Sequence, residues 1–89
     1  MQEKKIIIKN KLGLHARAAV KFVNLANRFA SSVHLVKDSS EVDGKSILGI
    51  LTLAAGQGTQ LRLLVSGRDE EQALKALTDL INNRFGEEE

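Results

Sequence analysis

Apolar residues along this chain switch between two spacings, and that switching limits the folds open to it. Lys5-Ile6-Ile7-Ile8-Lys9 is short and β-branched and predicts a strand. Asn10 to Leu14 reads as a loop with Gly13 as its flexible point. From Ala16 the spacing changes. Ala19, Phe22, Val23, Ala26 and Phe29 stand at i, i+3, i+4, i+7 and i+10, the stripe of an amphipathic helix that ends near Asn27 or Arg28. Ser32 to Lys37 alternates as a strand, with Val33 and Leu35 on one face. Asp38-Ser39-Ser40 is a turn, Glu41-Val42 a short strand and Asp43-Gly44 a second turn. Ile47 to Leu51 predicts a short helix after an N-cap at Ser46, with a strand as the alternative. After the Gly56-Gln57-Gly58 loop, Gln60 to Ser66 is a strand presenting Leu61, Leu63 and Val65 together. Ala73, Leu74, Leu77, Leu80 and Ile81 mark a final helix, with Asp69 and Gln72 as a capping box and Gly86 as its stop. The order β-α-β-β-α-β-α places the chain in the α+β class. The short link between the second and third strands favours antiparallel pairing, and the alternation leaves one sheet face covered and one wetter.

A chain of 89 residues suits one domain, 1–89, with a modest core; about 60–65% of its unfolded surface is removed from water on folding. There is no cysteine, which excludes disulfides and thiolate metal sites. No apolar run reaches the ~20 residues of a membrane span, and residues 1–20 lack the pattern of a signal peptide. A cytoplasmic protein is expected. Net charge is +2 with three aromatic residues, all Phe, so neither a stacking platform nor a basic cluster for nucleic acid is present. The acidic end Glu87-Glu88-Glu89 reads as a solvated tail.

Reactive chemistry concentrates at Gly13-Leu14-His15-Ala16-Arg17. His15 stands where a glycine loop meets a helix start, and the first amides of a helix lack intrahelical partners and favour anions. Arg17 adds a permanent cation with a planar fork suited to phosphate oxygens. An imidazole is a competent nucleophile near neutral pH. Nucleophile, anion cradle and charge clamp together meet the needs of reversible histidine phosphorylation. Gly44-Lys45-Ser46 has the end of a nucleotide-binding P-loop, but position 39 is serine where that motif needs glycine, and no long strand leads in. Ser46 is instead a helix cap at which added phosphate would meet a favourable dipole. His34 lies mid-strand opposite in sense to Val33 and Leu35 and is expected to be exposed; two histidines without nearby carboxylate spacing are a poor metal site. A hydrolytic set of His15, Asp43 and Ser46 lacks a nucleophile elbow.

Gly13-Leu14-His15-Ala16-Arg17-Ala18-Ala19 resembles the active-site segment of the HPr family, the histidine-containing phosphocarriers of the bacterial phosphoenolpyruvate-dependent sugar phosphotransferase system. Lys45-Ser46-Ile47-Leu48-Gly49-Ile50-Leu51 resembles that family's regulatory serine segment, and the likeness runs over essentially the whole chain. The resemblance implies an open-faced β-sandwich: a four-stranded antiparallel sheet in order 1-4-2-3, covered on one face by three helices. It implies that His15 takes phosphate through Nδ1 from Enzyme I and gives it to IIA components. Arg17 would steady the phosphoryl group, and Ser46 would be the target of an HPr kinase/phosphorylase. Val20, Ile47, Leu48 and Leu51 match an apolar patch that docks partners. The protein is then a carrier and not a turnover enzyme, a monomer with no cofactor or metal and no nucleic-acid partner. The family usually has proline where this chain has Ala18, but His15 and Arg17 both remain. The main alternative within the same fold is a regulatory phosphocarrier or adaptor of a nitrogen-type phosphotransferase chain.

Overall fold

In the computed structural model, which describes residues 1–89, the alternating segments become four strands: β1 (Gln2–Ile7), β2 (Ser32–Lys37), β3 (Ser40–Asp43) and β4 (Gln60–Ser66). The helical stripes become α1 (Ala16–Ala26), α2 (Ile47–Thr52) and α3 (Glu70–Asn82), followed by a 3₁₀ turn at Arg84–Gly86. The sheet is antiparallel throughout, in the order β1-β4-β2-β3. One sheet face supplies Ile6, Val33, Leu35, Leu61, Leu63 and Val65 to the core. Against it pack Ala19, Phe22, Val23 and Ala26 of α1, Ile50 of α2, and Ala73, Leu77 and Ile81 of α3. Each large aliphatic or aromatic side chain so buried contributes about 1.5–3 kcal/mol. The architecture is the expected α+β open-faced sandwich.

Several local expectations are corrected. The first strand runs from Gln2 to Ile7, not from Lys5 to Lys9, because β4 pairs with all of it from Gln2↔Val65 to Ile7↔Gln60. Beyond Ile7 the backbone bonds go to the Gly56–Thr59 loop: Ile8 N–H donates to Thr59 O at 3.0 Å, and Gly58 N–H to Ile8 O at 2.8 Å. As an edge strand β1 tolerates the charged Glu3, Lys4 and Lys5 that hid it from hydrophobic patterning. The second hairpin strand is longer than Glu41-Val42, starting at Ser40, which pairs with Lys37 across a two-residue turn. His34 is half-buried on the sheet face away from the helices, in register with Asp43 and Leu64.

Asp69 occupies the N-cap position of α3 without capping it. Its carboxylate accepts hydrogen bonds from the Ala30 and Ser31 amides, at 2.8 and 3.0 Å, and from Ser31 Oγ. These groups belong to the turn between α1 and β2, where Ser31 is buried and its polar atoms need a partner. Nor does Gly86 stop α3. The helix ends at Asn82, and Arg84 and Phe85 then take left-handed backbone, φ +57° and +56°. That conformation is unfavourable away from glycine, but it delivers the Phe85 ring to the core, and Lys21 Nζ donates to Phe85 O at 2.7 Å. Lysines close two further gaps in the same way. Lys37 Nζ donates to Leu53 O at the end of α2, and Lys45 Nζ to Phe29 O after α1.

Candidate functional site

The turn before α1 is built from both sides of its own backbone. Gly13 N–H donates to Asn10 O at 3.1 Å, and Asn10 Nδ2 returns a bond to Gly13 O at 2.8 Å. Gly13 has φ +68°, and a Cβ there would lie 2.7 Å from Gly56 Cα, so the position accepts only glycine without displacement of the neighbouring strand of loop. Leu14 N–H donates to Ala55 O at 2.9 Å, and its side chain is buried. The loop from Asn10 to Leu14 is therefore fixed to residues 55–56 before the helix begins.

His15 is the N-cap residue of α1, with extended backbone at φ −73° and ψ 175°. Its carbonyl receives the first helical bond, from Ala19 N–H at 2.9 Å. No side chain caps this helix start and no acidic residue lies in its first turn. The leading amides and the positive end of the helix dipole are thus left for an external anion. Ala18 is the third helical residue, fully buried, at a position where an N–H has no partner four residues back. The exposed Arg17 lines a cleft together with Lys11, Leu12, Glu87, Glu88 and Glu89.

The acidic end is only in part the solvated tail that its composition suggested: Glu88 and Glu89 are exposed, but Glu87 is half-buried. Glu87 lies against His15, Oε2 on Nε2, with only 19% of the Glu87 side chain and 22% of the His15 side chain exposed. Its other oxygen accepts from Asn10 Nδ2 at 3.0 Å. Lys11 N–H donates to Glu89 O at 2.9 Å, and Arg84 to Glu88 O at 3.0 Å. The Asn10 hydrogen bond and, secondarily, the His15 contact hold the Glu87 carboxyl below the usual range against the opposing effect of its burial.

Of the other sequence candidates, Ser46 caps α2 and accepts from Gly49 N–H at 3.0 Å. Asp43 turns its carboxylate to the Lys45 amide at 2.8 Å. Both side chains are therefore committed to the turn into α2, and the carboxylate beside His15 is that of Glu87. α1 and α2 pack together. Val20, Ile47 and Leu48 are exposed apolar side chains, and Leu51 is half-buried against the core. Leu12, 65% exposed, was not singled out by the sequence, nor were Asn10 and Glu87. Leu12 had a signal in principle, as an apolar residue in a polar loop. The other two depend on chain segments meeting from opposite ends of the sequence.

Taken together, the site holds an imidazole at an uncapped helix N-terminus, an exposed guanidinium two residues on in the first turn and apolar side chains on adjoining helices. That set can bind and exchange an anionic group while presenting a surface to another macromolecule. The family model described as the HPr component phosphorylation site of the phosphotransferase system matches residues 2–83. The phosphocarrier protein HPr of Neisseria meningitidis serogroup A is 53% identical over 89 residues, all of both chains. That of Pseudomonas aeruginosa is 55% identical over 85 residues, 94% of each. The crystal structure of HPr-C-His from Thermoanaerobacter tengcongensis superposes with a TM-score of 0.96 at 50% identity, covering 100% of both chains. No helix here is long and apolar enough to cross a membrane. The chain belongs to the HPr family, the phosphocarrier proteins of the phosphotransferase system.

Proposed function

We propose that His15 is the phosphoryl acceptor of this carrier, charged by Enzyme I and discharged to IIA components in the cytoplasm. The observation that carries the reading is the helix start at His15: an N-cap imidazole where neither a capping side chain nor a first-turn acid neutralises the leading amides. The lone pair of Nδ1 forms a bond to phosphorus while the donor's bond to phosphorus breaks, its electron pair leaving with the donor. The helix amides and Arg17 hold the phosphoryl oxygens during the exchange. At a IIA protein the same step runs in reverse. Val20, Ile47 and Leu48, with Leu51 behind them, form the docking patch, and Ser46 at its margin is the regulatory phosphorylation site for an HPr kinase/phosphorylase.

The test is incubation with phosphoenolpyruvate and Enzyme I, followed by assay for an acid-labile, alkali-stable phosphoryl adduct. The wild-type chain should label, and His15→Ala should not. The variant should remain folded, because the ring lies outside the hydrophobic core. Full labelling of His15→Ala would place the acceptor elsewhere, with His34 the next histidine to examine.

A further inference from the structure

The carboxylate of Glu87 is fixed before it meets the imidazole. Asn10 is fully buried, and its Nδ2 donates one hydrogen to Gly13 O at 2.8 Å and the other to Glu87 Oε1 at 3.0 Å. The backbone holds the same segment in place, with Glu87 N–H donating to Arg84 O at 2.9 Å and Lys11 N–H to Glu89 O at 2.9 Å. The remaining oxygen, Oε2, lies on His15 Nε2. An ionised carboxylate only accepts hydrogen bonds, so the hydrogen in that contact belongs to the ring. The lone pair of the neutral imidazole is then on Nδ1. The charged groups around this pair are Lys11, Arg17 and Lys21 on one side of the balance and Glu88 and Glu89 on the other.

We infer that Glu87 is a positioning residue for His15: it holds the ring in the Nε2–H tautomer with Nδ1 free to attack, and it balances the charge that grows on the ring as Nδ1 bonds to phosphorus. The inference rests on the reading of His15 as the acceptor. When the Nδ1 lone pair forms the N–P bond and the donor takes the electrons of the bond that breaks, the Nε2 proton stays where it is. The ring becomes an imidazolium beside a carboxylate already in place. No proton has to move in either direction of transfer. A carboxylate behind an attacking or proton-accepting imidazole plays the corresponding part in hydrolytic triads, where it orients the ring and stabilises its cationic form. Here that carboxylate comes from the far end of the chain, and Asn10 is the group that aims it.

The experiment compares the full chain with Glu87→Ala and Glu87→Gln. Imidazole ¹⁵N spectra read the tautomer of neutral His15, and steady-state kinetics with phosphorylated Enzyme I separate kcat from KM. In the wild type the Nε2–H form should dominate, and in Glu87→Ala it should become one of two populated forms. The same variant should lose about tenfold in kcat, the lower end of what removal of an orienting partner costs, with KM little changed. Glu87→Gln keeps an acceptor oxygen without the charge, so it should retain more of the tautomer preference and recover part of kcat. A purely structural tail would instead alter the denaturant midpoint and leave the tautomer alone. A wild-type chain that takes no phosphate overturns the acceptor reading, and this one with it. A wild-type chain that labels normally, with Glu87→Ala matching it in either tautomer or kcat, overturns the role of Glu87 alone.

Discussion

Arg17 stands in the first turn of α1 and lines the cleft that the acidic tail also lines, so its positive charge faces two sets of anions. One is the chain's own Glu87 to Glu89, and the other is the incoming phosphoryl group of the proposed reaction. The tail carboxylates would repel that group, and a cation in the same cleft offsets the repulsion as negative charge is concentrated during transfer. Arg17→Ala is therefore expected to slow phosphorylation and dephosphorylation of His15 more than it weakens docking. Because the cleft is open to solvent, the fall in kcat should be about tenfold, short of the hundredfold or more of an enclosed donor. Arg17→Lys should restore only part of it, since a point charge cannot reproduce the planar fork. Rapid-quench transfer rates set beside binding isotherms for Enzyme I decide the matter. Unchanged rates with weakened binding would make Arg17 a contact residue only. His15, Arg17 and Ser46 were visible in the sequence because each sits beside a local punctuation mark, Gly13 or Gly44, that betrays a helix start. Asn10 and Glu87 were not, since their partnership spans 77 positions and the Glu87 contact with His15 spans 72.

At the level of elements, α2 combines a cap with an exposed apolar end. Ser46 Oγ accepts from Gly49 N–H at 3.0 Å, and Ile47 and Leu48 follow it into solvent. Replacing Ser46 with Asp keeps a good N-cap oxygen and adds a charge that the helix dipole favours by about 0.3–1 kcal/mol. The denaturant midpoint should therefore hold or rise slightly. Docking is another matter, because the new charge must be desolvated beside two apolar side chains that the proposed interface covers. Ser46→Asp is expected to reduce phosphorylation of His15 by Enzyme I through weaker association, and association measured at low salt is the check. Equal affinities for the two proteins would remove this mechanism. α1, β2, β4 and α3 were legible because a period of 3.6 or 2 survives in their apolar residues, whereas the short α2 was marked only by its Ser46 cap and left a strand as the alternative. β1 was legible only in part, since at an edge its pairing needs backbone and not apolar side chains from Gln2 to Lys5. The end of α3 was hidden for a different reason. Packing of Phe85 outweighs the local preference for glycine in left-handed backbone, which pattern reading cannot weigh.

For the molecule as a whole, side chains from one end of the sequence clasp segments from the other. Asp69 joins α3 to the turn between α1 and β2 by accepting from Ala30 N–H, Ser31 N–H and Ser31 Oγ. Glu70 accepts from Gly67 N–H and Gln2 Nε2 and pairs with the amino terminus at 3.2 Å. Glu87 ties the carboxyl end to the loop before α1. All three carboxyls are held below their ordinary range. The Ser31 hydroxyl is the largest cause for Asp69, the Gly67 amide for Glu70 and the Asn10 amide for Glu87. A carboxyl whose proton affinity is lowered by folding stabilises the fold most where it is ionised in both states. That stability is complete above the unfolded value, about 3.9 for an aspartate. It is lost as pH falls through the lower folded value, because the unfolded chain then takes up the proton first. The wild-type denaturant midpoint should accordingly be level near neutrality and decline below about pH 4. Asp69→Asn keeps an oxygen to accept from the turn but removes the charge. It should start lower at pH 7 and decline less steeply in acid, with Glu70 and Glu87 supplying the slope that remains. The two curves should approach each other as pH drops below the folded value of Asp69. Urea titrations from pH 7 to pH 2 measure this directly. Parallel curves across that range would mean that Asp69 acts through its hydrogen-bonding shape alone, and that the clasp between α3 and the α1–β2 turn owes nothing to charge.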